Sequence, residues 1–239
     1  MEALDLTLPT PAENLALDEA LLETSEAAGG PEWLRFWAAD ELFAVLGYAN
    51  HAAREVNLPA CRAAGVPVLR RISGGGTVLQ GAGCLNYTLV LDSQRDATLT
   101  SVAGTNRYIL HRHQTALSRL LGTTVALQGA TDLCVADRKF SGNSQRRRRR
   151  FLLFHGTFLV GLDLALVERF LWPPSIQPAY RQGRRHSDFL TNLALPATAL
   201  KGTLGLLWEA SPASAAPDQA HVARLVEEKY SQPAWSFRF

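Results

Sequence analysis

Val66-Pro67-Val68-Leu69-Arg70-Arg71-Ile72-Ser73-Gly74-Gly75-Gly76 sets an apolar run against two arginines, a serine and three glycines. The run reads as a strand. Gly74, Gly75 and Gly76 lack Cβ atoms, so their N–H groups can approach a ligand closely and take positive φ. Arg70 and Arg71 present planar forks of donors that match a carboxylate or a phosphate. A strand ending in such a loop can cradle an anion, an acyl-phosphate among them. The plainer alternative is a glycine turn beside two solvated arginines.

Working outward, Thr10-Pro11-Ala12-Glu13 predicts a helix start, with a capping threonine, proline in the first turn and a glutamate to close a capping box. That helix runs through 14–22, and Gly29-Gly30-Pro31 stops anything that continues from it. Residues 34–37 and 42–47 read as strands joined by a polar turn, and 52–64 as a helix ended by Gly65. Beyond the glycines come a strand at 84–91 and a helix at 103–121 with Leu110, Leu117 and Leu121 on one face. Strands at 123–127, 133–140 and 151–160 follow, then helices at 163–171, 197–209 and 217–229. Several strands are neighbours in sequence. The prediction is therefore α+β, with a mixed, mostly antiparallel sheet flanked by helices, not a doubly wound fold.

The chain has 239 residues, 47% of them hydrophobic, with no visible repeat or linker. It is read as a single domain over 1–239 with a substantial core. A net charge of +2 does not point to nucleic acid. No apolar run nears the ~18 residues of a membrane span, and Met1-Glu2-Ala3-Leu4-Asp5 lacks a signal-peptide pattern. Cys61, Cys84 and Cys134 are odd in number and widely spaced, which argues against a disulfide framework or a zinc site. They read as buried structural thiols in a reducing cytoplasm.

Three further clusters carry potential chemistry. Asp137-Arg138-Lys139-Phe140-Ser141-Gly142-Asn143 places a lysine at a strand end, where its compact charge could face an anion or simply solvent. Phe154-His155-Gly156-Thr157 puts a histidine among apolar neighbours, as a wall of a site or a satisfied core residue. Arg146 to Arg150 are five like charges, read as a solvated, mobile loop that docks an acidic protein face or orders over a nucleotide. No G-x-S-x-G elbow, Walker A loop or Ser-His-Asp signature is present.

In order along the chain, these clusters resemble the lipoate–protein ligase A family, within the wider group of lipoate ligases, octanoyltransferases and biotin protein ligases. The resemblance spans roughly residues 8–170. It is carried by Glu13 to Leu22, by Gly47-Tyr48-Ala49-Asn50 as a G-x-x-N turn, and by Arg70 to Gly76 as R-R-x-S-G-G-G. Asn86-Tyr87, Asp132-Leu133, Arg138-Lys139-Phe140-Ser141-Gly142 and His155-Gly156-Thr157 complete it.

The resemblance implies a biotin/lipoate-ligase-like catalytic domain. Lipoic acid and ATP, with Mg2+, would give lipoyl-AMP, and a lysine of an acceptor lipoyl domain would then attack the mixed anhydride. It implies Lys139 as the catalytic residue at the carboxylate or adenylate phosphate. Arg70, Arg71, Ser73, Gly74, Gly75, Gly76, Asn86, Tyr87, His155, Gly156, Thr157 and Trp37 would form the acyl substrate site. Asp132, Lys139, Ser141 and Gly142 would face the nucleotide, with no residue set for a resident metal.

Two departures bear on the adenylate. Thr131 stands where the family has asparagine, and Gln80-Gly81 where it often has His-Asp. Residues 171–239 are too few for both the end of the catalytic domain and the C-terminal accessory domain of well-known ligases, which implies either a separate accessory chain or a protein that only transfers a ready-made acyl group. An ATP-independent octanoyl- or lipoyl-transferase is the rival. The family's transferases carry a thioester-forming cysteine beyond the H-G-T strand, and no cysteine follows Cys134. The G-R-G-R-x-G loop of biotin ligases is absent. A third reading is a non-catalytic subunit that holds a lipoyl domain through its arginines.

Overall fold

A computed structural model of the chain describes residues 1–239. In chain order its elements are β1 (Glu2–Asp5), α1 (Pro11–Ala28), β2 (Trp33–Trp37), β3 (Phe43–Leu46), α2 (Ala52–Glu55), α3 (Leu58–Ala64), β4 (Val68–Arg70), β5 (Val78–Gln80) and β6 (Cys84–Asp92). There follow α4 (Val102–Leu121), β7 (Ala126–Gln128), β8 (Asp132–Val135), β9 (Arg138–Arg147), β10 (Phe151–Leu159), α5 (Leu164–Phe170), α6 (His186–Phe189), α7 (Ala197–Leu207), β11 (Ser211–Pro212), α8 (Gln219–Leu225) and α9 (Pro233–Ser236). No helix is long and apolar enough to cross a membrane.

An eight-stranded sheet runs β11-β1-β2-β6-β10-β9-β8-β7, and a three-stranded sheet runs β4-β3-β5. In the large sheet β1 pairs parallel with β2 and β11, and every other pairing is antiparallel. The mixed, mostly antiparallel α+β prediction holds. Side chains alternate across β6 and β10, as the pleat requires. Leu85, Tyr87, Leu89, Leu152, Phe154 and Phe158 pack with Ile109 and Leu117 of α4 and Leu200 and Leu204 of α7. On the opposite face, Val90, Phe151 and Leu153 pack with Leu15, Leu17, Leu21 and Leu22 of α1. His155 and Thr157 share parity with Leu153, so β10 delivers them to the α1 side.

α1 forms as its sequence predicts. Thr10 and Glu13 make both halves of the capping box, and Gly29 ends the helix at φ +77°. Asn14 to Leu22 are buried without interruption, because α8 covers the face turned from the sheet.

Three local predictions are corrected. The helix over 52–64 is two helices: Pro59 is tolerated only in a first turn, so the helix restarts there, with Asn57 capping it by accepting from the Ala60 N–H. The strand over 133–140 is β8 and β9, joined by a tight turn in which Ala136 and Asp137 both have positive φ. The arginine run is not a mobile loop. Arg146 and Arg147 lie on β9, and Arg147 donates to the Leu99 carbonyl and Thr105 Oγ1. Arg148 pairs with Glu23 at 2.6 Å and Arg150 with Asp92 at 2.7 Å. Acidic residues on α1 and β6 neutralise much of the repulsion that made the run look unstructured.

Candidate active site

The glycine loop, β9 and β10 meet around a cavity of about 150 Å3, walled on its apolar side by Leu15, Trp37, Val45 and Val78. Of the residues predicted for a site, Trp37, Arg71, Gly75, Gly76, Asn86, Tyr87, Asp132, Lys139, Gly142, His155, Gly156 and Thr157 line it. Arg70, Ser73, Gly74 and Ser141 do not.

Arg70 is wholly buried and spends its donors on carbonyls of Gly47, Tyr48, Trp235 and Ser236, clamping the C-terminal segment to the G-x-x-N turn. It lines neither cavity, so the structure gives it a structural clamp where the sequence suggested a substrate-binding residue. Arg71 wires the loop from within: Nε donates to Ser73 Oγ at 3.0 Å, and Nη2 to the Gly74 and Gly76 carbonyls. Burial, then the neighbouring Arg70, pushes its guanidinium down to about 10. Only Gly75 of the three glycines needs its φ of +81°; a Cβ at Gly74 or Gly76 would meet nothing within 4 Å. The N–H groups of all three donate to no protein acceptor, so the loop's anion-holding capacity lies in its backbone.

Lys139 folds back over Gly142, where a Cβ would come within 2.7 Å of Nζ. Its ammonium lies 2.8 Å from Asp132 Oδ1. Asp132 Oδ2 accepts a 2.7 Å bond from Tyr180, on a single 3-10 turn, Ala179–Arg181. Each carboxylate oxygen thus has a partner, and Lys139 is held at one place on the wall.

A second hydrogen-bonded chain crosses the sheet to α1. Asp18 pairs with Arg35 at 2.6 Å, and both are buried. Burial pushes the Asp18 carboxyl up, but Arg35 and His155 outweigh it and hold it below the usual carboxylate range. Asp18 Oδ2 faces His155 Nδ1 at 3.2 Å, and His155 Nε2 faces Ser73 Oγ at 2.5 Å. Ser73 Oγ also meets Ser144 Oγ at 2.8 Å. The donor directions follow from the partners. An ionised Asp18 only accepts, so His155 carries its proton on Nδ1. Arg71 Nε only donates, so Ser73 gives its one proton to His155 Nε2 and accepts from Ser144. The chain reads Ser144 to Ser73 to His155 to Asp18, and Ser144 ends it on the cavity wall.

Gln80, at the first of the two positions that depart from the family pattern, is absorbed into a neutral triangle. It donates to Thr157 Oγ1 at 2.7 Å and accepts from Asn86, which accepts from Thr157. Tyr87 donates to Asn143 Oδ1, and Asn143 donates to the Thr131 carbonyl, at the second departure.

A second cavity of about 550 Å3 adjoins the first, and the two share Gly75 to Val78, Thr131, Asp132, Lys139, Gly142 and Thr157. Its wall is apolar, with Leu79, Leu159, Leu162, Val167 and Phe189, and Arg181 and His186 add charge and polarity. Ser141 lines it with a buried Oγ that has no partner. All three cysteines are buried and none lines either cavity. Burial pushes the Cys84 thiol up to about 12.

Sequence reasoning missed Asp18, Arg35, Ser144 and Tyr180. The first two had a signal, since each is a charge inside an apolar run, on a helix and a strand respectively. Buried charges must pair, so these two were candidates for each other. Tyr180 sits in a loop and had none.

The profile of the lipoyl protein ligase A/B catalytic domain matches residues 10–195. An Aeropyrum pernix protein, provisionally named lipoate-protein ligase A, is 34% identical over 69% of this chain; the match spans 59% of that protein's length. Octanoyltransferase LipM of Brevibacillus brevis is 24% identical over 96% of this chain and 95% of its own. Lipoate-protein ligase A subunit 1 of Thermoplasma acidophilum is 29% identical over 73% of this chain and 69% of its own. Among solved structures, a lipoate-protein ligase A bound with ATP superposes with a TM-score of 0.81 at 23% identity, covering 99% of this chain and 98% of its own. A T. acidophilum protein provisionally described as a lipoate protein ligase, with bound lipoic acid, has the same score at 22% identity, covering both chains fully.

Proposed function

The chain belongs to the lipoyl protein ligase A/B catalytic-domain family, and we propose that it activates lipoate or octanoate with ATP and transfers the acyl group to a lysine of a lipoyl domain. The observation that carries this reading is the position of Lys139 where the two cavities join. Adenylation brings a carboxylate and the α-phosphate together and concentrates negative charge between them. A fixed ammonium and the unpaired N–H groups of Gly75 and Gly76 stabilise such charge at no reorganisation cost. The acyl tail takes the slot beside Leu15, Trp37 and Val45. The nucleotide takes the larger apolar cavity, where the unpartnered Ser141 hydroxyl and Arg181 are available to it. Mg2+ enters with the ATP phosphates as their counter-ion.

The rival reading, an ATP-independent transferase, draws support from the near full-length similarity to an octanoyltransferase. Against it stands the lack of any cavity-facing thiol. We further propose that the chain acts in the cytoplasm as one catalytic unit with a separate accessory chain. Similarity to a relative named as a subunit supports this, as does similarity in fold to a bi-partite lipoate protein ligase of T. acidophilum described with its E2 lipoyl domain.

The test is incubation with lipoate, Mg-ATP and an apo lipoyl domain, following pyrophosphate and acceptor mass, with and without octanoyl-carrier protein. Pyrophosphate release matched by a lipoylated acceptor supports the ligase. Acyl transfer from the carrier protein without pyrophosphate replaces it with the transferase.

A further inference from the structure

An acceptor lysine is an ammonium in solution and cannot attack a carbonyl until it loses a proton. The site needs a proton acceptor in contact with the cavity, whichever acyl donor is used. Lys139 already donates to Asp132 and has no lone pair to offer. Asp132 balances the Lys139 ammonium and accepts from Tyr180, so a proton taken there would cost Lys139 its counter-charge. Arg71 is a donor, and burial holds the Tyr87 phenol well above its ordinary range. Asp18 reaches the cavity, but its charge already serves the buried Arg35, and a proton placed on it would leave that guanidinium uncompensated. What remains is the chain from Ser144 through Ser73 to His155.

We propose that the Ser144–Ser73–His155–Asp18 chain is the general base that deprotonates the acceptor lysine. The proposal rests on the reading of the protein as one that acylates a lysine. Antiparallel pairing places Ser144 directly opposite His155 on β9 and β10. The glycine loop inserts Ser73 between them.

The step balances as follows. The ammonium gives a proton to Ser144 Oγ as the proton of Ser144 passes to Ser73 and that of Ser73 passes to His155 Nε2. The imidazolium so formed faces the Asp18 carboxylate, whose charge is already fixed by Arg35. The free amine then attacks the acyl carbon. A C–N bond forms, the bond from that carbon to the phosphate oxygen breaks, and its electron pair leaves with AMP. The second nitrogen proton goes to that phosphate oxygen. His155 returns its proton to solvent once the products depart.

The chain separates a chemical role from a structural one by the acidity of the acceptor amine. The experiment supplies purified lipoyl-adenylate to the enzyme, so that adenylation is bypassed. Transfer is followed by mass in single turnover to two acceptor domains: one with its native lysine, one with S-aminoethylcysteine at that position. The second amine has the same reach and loses its proton more readily.

For His155→Gln we expect a loss of about 100-fold or more on the lysine acceptor, the range of general-base catalysis, and a loss several-fold smaller on aminoethylcysteine. The wild-type protein should treat the two acceptors within a few-fold of each other. Ser144→Ala deletes one hydroxyl at the cavity wall, leaves the core untouched, and should show the same differential on a smaller scale. Equal losses on both acceptors in either variant would overturn the proposal. Wild-type protein that transfers to neither acceptor would instead overturn the lysine-acylation reading itself, and the relay with it.

Discussion

Two ion pairs border the same cavity and are built for different work. Asp18–Arg35 has side chains 3% and 0% exposed, crosses from α1 to β2, and is closed off by further bonds from Arg35 to the Asn14 side chain and backbone and to the Leu6 carbonyl. Asp132–Lys139 has side chains 12% and 24% exposed, spans one hairpin, and leaves its ammonium on the cavity wall. Desolvation explains the difference. A charge out of water needs every partner, whereas a charge at the cavity edge stays available to a ligand. Removing Arg35 should therefore be measured first as stability, with Asp18 reaching the rate only through His155, and the edge pair as rate.

The largest expected effect is on the buried pair. Arg35→Leu strands the Asp18 charge and should lower unfolding free energy by about 3–5 kcal/mol, the usual cost of removing one partner of a buried pair. Urea denaturation measures it, and a loss under about 1 kcal/mol would break the contrast. Lys139→Ala should cost about 10²–10³ in acyl transfer, as loss of a preorganised charge stabiliser does, with a urea midpoint near wild type. Near-wild-type turnover would remove Lys139 from the chemistry.

The acid stability of the protein sharpens the same contrast. The carboxyl of Asp18 has its pKa lowered by folding, so its contribution is fully present above its unfolded value, about 3.9. That contribution is lost as pH falls through the depressed folded value. Urea midpoints from pH 6 to pH 2 should hold and then drop below about pH 4, and a midpoint still flat at pH 2 would contradict the assignment. The smallest effect belongs to Tyr180→Phe, which frees one oxygen of Asp132. Loss of one hydrogen bond to a carboxylate is worth roughly 1.5–3 kcal/mol at most. Transfer should fall by about tenfold with the fold intact, and an unchanged rate would mean that Asp132 needs no second partner to hold Lys139.

Much of this was legible in the chain. The capping box of α1 and the glycine stops at Gly29 and Gly65 are local signals, and the structure follows them. What local reading could not reach was the use of the arginines. The partners of Arg70 include backbone carbonyls 165 and 166 residues away, and a carbonyl carries no sequence signature. The arginine run found its counter-charges on Glu23 and Asp92, distant in sequence and adjacent only once the sheet forms. The Ala136-Asp137 turn hid because neither residue announces positive φ as glycine or asparagine would. The candidate site was legible as a set of residue types but not as wiring. His155, Ser73 and Lys139 stood out, whereas Asp18 and Tyr180, which orient them, were seen only in three dimensions.

The most direct test of the central claim is a single-turnover measurement of pyrophosphate from lipoate and Mg-ATP, on wild-type protein and on folded Lys139→Ala. Any accessory chain that the assembly requires is included in both. The account predicts about one pyrophosphate per active wild-type chain, followed by lipoylation of added acceptor domain, and neither from the variant. Wild-type protein that releases no pyrophosphate yet acylates the domain from octanoyl-carrier protein would contradict it.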